Sequence, residues 1–232
     1  MARQINSEFK GTIGNLIFYE RSGEYLIRTV QQQTTATRLA AKEFGRASST
    51  AKRLRRLLAP LIPAPRNRQM QNRLTVAMRG FLAETEEQPI IGSDNNRLAG
   101  FGFDAGSAIS ECLLFPLNIS AQADRKISVE IPAITPLEAI RAPEGTTKVE
   151  IRAMAAAFHP DDHSGFAGVP AVLEVPYSSA QQPPAVIELE CITEPGSVAV
   201  VALSVSYFNG SRKITMPGFM PVEIIAAWRN NE

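Results

Sequence analysis

Val198-Ala199-Val200-Val201-Ala202-Leu203-Ser204-Val205-Ser206-Tyr207-Phe208, then Asn209-Gly210, then Ser211-Arg212-Lys213-Ile214-Thr215, is the stretch on which the fold reading turns. Its first part is rich in β-branched and apolar residues. Asn-Gly before a second extended run is the strongest short-range hairpin signal a chain can carry. The same period of two begins near residue 98. Runs at Gly100–Phe103, Ser110–Phe115, Lys126–Ile131, Lys148–Phe158, Ala171–Val175, Ala185–Thr193 and Val222–Trp228 are separated by clusters of Pro, Gly, Asn and Asp. Strands at this spacing predict an antiparallel β-sandwich. One run is ambiguous: Lys148–Phe158 contains Ala153-Met154-Ala155-Ala156-Ala157, which also suits a helix.

Upstream, the period lengthens. Phe44, Ala47, Ala51, Leu54, Leu58 and Leu61 recur three and four apart, as one apolar helical stripe does, with Arg38, Lys42, Arg46, Arg53 and Arg56 opposite. Gly45 costs this helix about 1 kcal/mol relative to Ala and is a point where it could break in two. Pro60, Pro63 and Pro65 end it, because proline lacks a donor and restricts the residue before it. A second helix is expected over 66–83, with Met70, Leu74, Ala77 and Phe81 as its stripe. Nearer the start, Asn15–Glu20 and Glu24–Val30 flank Ser22-Gly23 and read as a β-hairpin, with Gly11 and Gly14 punctuating its entry. Leu16 and Phe18 fall on one side of its first strand and Ile17 and Tyr19 on the other. A lone ribbon of this kind is marginal in water. It needs cover on both faces, from its own body or from a neighbouring subunit.

The expected class is therefore α+β, mainly β: an N-terminal β-hairpin arm over 1–35, a basic helical hairpin over 36–97 and a C-terminal antiparallel β-sandwich over 98–232. The 232 residues carry 24 Lys or Arg and 23 Asp or Glu, for a net charge of +1. That balance hides a division: residues 1–80 hold 15 bases and four acids, and the remainder nine bases and 19 acids. Such polarity can grip an anionic polymer or attract the acidic end of a second copy. Hydrophobic residues make up 44% of the chain, which excludes wholesale disorder. No apolar run approaches the ~18 residues of a membrane span. The start lacks the apolar stretch of a secretory signal, so the cytoplasm is the default expectation, with extracellular or virion assembly also open.

Catalytic constellations are sparse. Both histidines lie in Phe158-His159-Pro160-Asp161-Asp162-His163, and His159, Asp161, Asp162 and His163 are all types that ligate divalent metals. The string resembles the histidine-proline-aspartate-aspartate signature of zinc-dependent sugar deacetylases, a resemblance that implies a metal-dependent enzyme. In that family it ends the first strand of an N-terminal α/β unit. Here it lies two thirds of the way along a β-rich chain, with no later histidine to complete a site, and a solvated turn is the preferred reading. Lys10-Gly11-Thr12-Ile13-Gly14-Asn15 lacks the Gly-Lys-Ser/Thr ending of a phosphate loop. Cys112 and Cys191 sit in apolar, strand-like runs and read as buried small hydrophobes; whether they pair is left open. No catalytic or cofactor-binding residue and no cofactor is assigned.

Gly11-Thr12-Ile13-Gly14-Asn15-Leu16-Ile17-Phe18-Tyr19, with Gly23 and Ile27-Arg28, resembles the N-terminal part of a family of uncharacterised Bacteroidota proteins. The resemblance continues in Arg141-Ala142-Pro143-Glu144-Gly145-Thr146-Thr147 and in Val201–Gly210. It implies a shared architecture, an N-terminal Gly-x-x-Gly-Asn hairpin and a β-rich C-terminal half, and no activity.

These readings point to a non-enzymatic structural subunit that self-assembles into a filament, ring or particle, with copies of itself as partners. Phe18, Tyr19, Tyr25 and Ile27 of the arm and Arg53 and Arg56 of the helix are the residues expected at the subunit interface. The alternatives are a nucleic-acid-binding protein using the basic helices, and a metal-dependent enzyme at His159 and His163.

Overall fold

The computed structural model describes residues 3–5, 8–30, 34–62, 67–84, 97–121, 125–162 and 164–230. The protein is α+β and mainly β. It divides into two compact units, Met1–Lys42 and Glu43–Glu232, and the division falls inside the first helix.

The first unit holds β1 (Arg3–Ile5), β2 (Glu8–Ile13), β3 (Leu16–Arg21) and β4 (Glu24–Thr29), an antiparallel four-stranded sheet in chain order. The expected hairpin is β3–β4. Arg21 stands opposite Glu24, and Ser22 and Gly23 take φ of 56° and 82°, the left-handed pair that a two-residue turn needs to match strand twist. Gly14-Asn15 is not mere punctuation. It is a second tight turn that sets Ile13 opposite Leu16 and so adds β2 to the ribbon.

Helix α1 (Thr35–Leu57) starts at Thr34, whose Oγ1 accepts the Thr37 amide at 3.2 Å. It runs unbroken through Gly45. Ala47, Thr50, Ala51 and Leu54 are its buried line, continued by Leu58 and Leu61 in the turn beyond. Phe44 departs from the expected stripe, being 53% exposed. Helix α2 (Arg68–Glu84) is capped by Asn67, whose Oδ1 accepts the Gln69 and Met70 amides at 2.8 and 3.3 Å. Its buried line is Met70, Leu74, Met78, Phe81 and Leu82; Ala77 lies at the margin.

There follow β5 (Phe101–Gly102), the short helix α3 (Ile109–Cys112), β6 (Asn118–Ala121), β7 (Lys126–Ile131), the short helix α4 (Pro136–Ala139), β8 (Lys148–Phe158), β9 (Gly165–Ala167), β10 (Ala171–Pro176), β11 (Ala185–Glu190), β12 (Val198–Asn209), β13 (Arg212–Ile214) and β14 (Val222–Arg229). The main sheet has the order β10-β8-β12-β14-β5, with β9 on β8 and β13 on β12; a smaller sheet has the order β11-β7-β6. All described pairings are antiparallel.

The long central strands show why the alanine run is strand rather than helix. Met154, Ala156 and Phe158 of β8, with Val198, Val200 and Ala202 of β12, face Leu54, Leu58, Leu74, Met78 and Phe81 of the helical layer. Ala153, Ala155 and Ala157, with Ala199, Val201, Leu203 and Tyr207, face Ile127, Val129, Ile187 and Leu189 of the smaller sheet. A strand covered on both faces carries no polar alternation, so its sequence loses the period of two that normally marks a strand. The expected two-sheet packing is present, and the helices add a third layer.

Two local expectations fail. Ser110–Phe115 is not a strand: Ile109, Cys112 and Leu113 are buried at helical spacing, and the Glu223 carboxylate accepts the Ile109 amide at 2.9 Å. The turn after β12 is displaced by one residue. Asn209 pairs with Arg212, so Gly210 and Ser211 form the turn, with Gly210 at φ 59°. Cys112 and Cys191 are buried free thiols, which settles their pairing.

Candidate docking surface of the N-terminal sheet

Cross-strand register places side chains on faces. Phe18 stands opposite Ile27, Glu20 opposite Tyr25 and Ile13 opposite Leu16, so Ile13, Leu16, Phe18, Tyr25 and Ile27 share one face. Tyr19 stands opposite Leu26, and these share the other face with Ile17. The sequence alternates little here because both faces are apolar. None of residues 10–30 is buried. Phe18 and Tyr19 are half-buried, Tyr25 is 44% exposed, Ile13 49% and Ile27 62%. Cations lie over the aromatic rings: Lys10 is 5.7 Å from the Tyr25 ring centre and Arg28 5.6 Å from that of Tyr19, while Lys10 pairs with Glu20. Fully covering a side chain such as Ile27 would gain roughly 1.5–3 kcal/mol.

The basic face of α1 is partly occupied within the chain. Arg53 donates from Nη1 to the His159 carbonyl, and Arg46 pairs with Asp161 at 2.7 Å. Arg79 of α2 reaches Glu43 at 3.1 Å, and Arg73 donates to the Gly102 carbonyl at 3.1 Å while lying 5.3 Å from the Phe101 ring centre. Lys52 and Arg56 remain exposed. The two helix residues expected at the interface thus differ: Arg53 is held against the 159–161 loop, and Arg56 faces solvent. Opposite in charge is the outer face of the smaller sheet, where Glu130, Glu188 and Glu190 stand exposed in register with Val186, Ser128 and Lys126.

The histidine loop is organised by its own backbone. His159 Nδ1 accepts the Asp161 amide at 3.3 Å and lies 3.7 Å from the Asp162 carboxylate. Asp162 accepts the Ser164 amide at 2.7 Å and the Ser164 hydroxyl, and these bonds hold its carboxyl below the usual range. Among the described residues no group of three His, Cys, Asp or Glu side chains is placed to hold a metal. His163 lies outside the described residues.

One polar cluster escaped the sequence reading. Glu150, only 7% exposed, accepts Arg152 Nε and Nη2 at 3.2 and 2.8 Å and lies 3.4 Å from Lys148 Nζ; Lys148 also donates to Glu174 at 2.8 Å. In register beside them on β12 are Ser204 and Ser206. The alternation Lys148-Val149-Glu150-Ile151-Arg152 was the available signal, overshadowed by the alanine run that follows it. The buried Glu150 carboxylate thus has a cation on either side and presents no unpaired acid.

Comparison with protein-family models, with curated proteins and with solved structures yields no match to this chain.

Proposed function

We propose that this chain is a non-enzymatic structural subunit that assembles with copies of itself, using its N-terminal sheet as the docking element. The observation that carries the reading is a four-stranded sheet with apolar residues on both faces and no buried side chain among residues 10–30. Exposed apolar area of this kind marks an interaction surface. Charge favours a second copy as the partner. The helices are basic, whereas residues 1–35 hold four bases and three acids. Exposed Glu130, Glu190 and Glu188, the last paired with Lys126 at 3.7 Å, offer an acidic surface that steers the helices towards such a contact. A head-to-tail arrangement closes into a ring or grows into a filament, according to the rotation between subunits.

Light scattering and negative-stain microscopy test this on the whole chain and on a chain lacking residues 1–31. Large regular particles from the whole chain, lost on truncation, are the expected result. The second unit carries both apolar cores, so circular dichroism of the truncated chain should report a folded protein. A whole chain that stays monomeric at high concentration overturns the proposal.

A second reading draws on exposed Lys52 and Arg56, which also suit phosphate contacts. Fluorescence anisotropy with DNA and RNA at low salt addresses it: binding that weakens steeply as salt rises supports it, and no signal removes it.

A further inference from the structure

Glu24-Tyr25-Leu26-Ile27-Arg28 is a charge mirror: opposite charges stand at equal distances on either side of Leu26, with apolar residues between. The strand that carries it, β4, ends the sheet order, with β3 as its neighbour among the described residues. The Val30 amide donates to the Asn15 carbonyl at 2.6 Å, which fixes the alternation of the β3–β4 ladder. Counting back from that pair, Arg28, Leu26 and Glu24 direct their main-chain groups at β3, and Tyr25, Ile27 and Thr29 direct theirs to the outer edge. β4 contains no proline, and its register with β3 is uninterrupted, so it lacks two common devices that protect an edge from pairing.

We propose that two copies of this chain join along β4, antiparallel, about a two-fold axis at Leu26. In that register Tyr25 of each copy stands opposite Ile27 of the other, and both positions direct their main-chain groups outward, as a hydrogen-bonded pair must. Leu26 meets Leu26 of the second copy as a non-hydrogen-bonded pair. Glu24 meets Arg28 twice, once on each side of the axis. Opposite charges directly across a ladder stabilise it, and like charges destabilise it. Moving the register by two residues keeps the backbone alternation but sets Leu26 against Arg28 in one direction and against Glu24 in the other. The charge mirror therefore selects one register. The inference rests on the reading of the N-terminal sheet as an assembly surface and names the occupant of one edge. An isologous contact closes on itself; combined with head-to-tail docking elsewhere, it would join pairs into a larger array.

The test uses the full-length chain with Leu26→Cys, mild oxidation and a non-reducing gel. Non-hydrogen-bonded pairs bring Cα atoms to about 4.5 Å, within disulfide reach. Ile27→Cys serves as the register control, since Ile27 meets Tyr25 and not itself. In parallel, Glu24→Arg sets Arg against Arg28 and should weaken pairing about tenfold, and Glu24→Arg/Arg28→Glu should restore it. A covalent dimer of L26C with none from I27C, together with rescue by the double charge exchange, is the expected result. Assembly of the unmodified chain by light scattering without an L26C cross-link, with an equal I27C cross-link, or without charge rescue overturns the β4 pairing and leaves the broader reading standing. A monomeric unmodified chain overturns both.

Discussion

The Tyr207 hydroxyl donates to the main-chain carbonyl of Arg141 at 3.0 Å, joining the end of β12 to the segment between α4 and β8. The ring is fully buried and stands edge-on to Phe219, at 5.8 Å between centres; the Arg141 guanidinium lies over that same Phe219 ring at 5.6 Å. Burial drives the phenol far above its ordinary range, so it remains a donor throughout the usable pH span.

Tyr207→Phe keeps the packing and removes the donor, leaving the Arg141 carbonyl without it. We expect a loss of about 1–2 kcal/mol, read as a lower urea midpoint with an unchanged slope.

The helical layer gives a contrasting pair. Leu54 is wholly buried between α1 and the main sheet, so Leu54→Ala should cost about 2–5 kcal/mol. Phe44, three stripe positions earlier in the sequence pattern, is largely exposed, and Phe44→Ala should stay within about 0.5 kcal/mol. Urea unfolding of the two variants at a concentration where the chain is monomeric checks both.

Two glycines should respond in opposite directions to the same change. A Cβ added at Gly45 or at Gly210 meets nothing within 4 Å, so the backbone decides. Gly45 is helical, and Gly45→Ala should raise stability by about 0.4–1 kcal/mol. Gly210 sits at φ 59° in the β12–β13 turn, and Gly210→Ala should lower it by about 1–2 kcal/mol. Melting temperatures of the two variants, moving apart from the parent value, are the readout.

Burial raises both thiols, Cys191 to about 11. Neither should react with a thiol reagent at pH 8 in the native state, and both should react in denaturant. The same burial makes stability depend on pH. Above the ordinary thiol range the unfolded chain loses the Cys191 proton while the folded chain keeps it. The stabilisation is therefore full below about pH 9 and declines as pH rises towards 11. Thermal melts from pH 8 to 11 should show that decline, and Cys191→Ala should make it shallower, with buried Cys112 and Tyr207 keeping their share.

Residue order alone determined the α+β class, the helical stripe of Ala47, Ala51, Leu54, Leu58 and Leu61, and the run Lys126–Ile131, which coincides with β7. Each is legible because periodicity and turn chemistry are properties of neighbouring residues. The rest depended on partners remote in the chain. Residues 153–157 are strand because layers lie on both sides of them, a condition set by α1, α2, β7 and β11. Arg53 is held by a carbonyl 106 positions away, and α3 by a carboxylate 114 positions away, so no local pattern could report either. At the candidate surface, the apolar character of both faces of β3, Leu16 and Phe18 on one and Ile17 and Tyr19 on the other, was readable from the sequence. That no side chain among residues 10–30 is buried was decided by three-dimensional packing, because burial depends on what covers a face, and a strand's own sequence does not encode its cover.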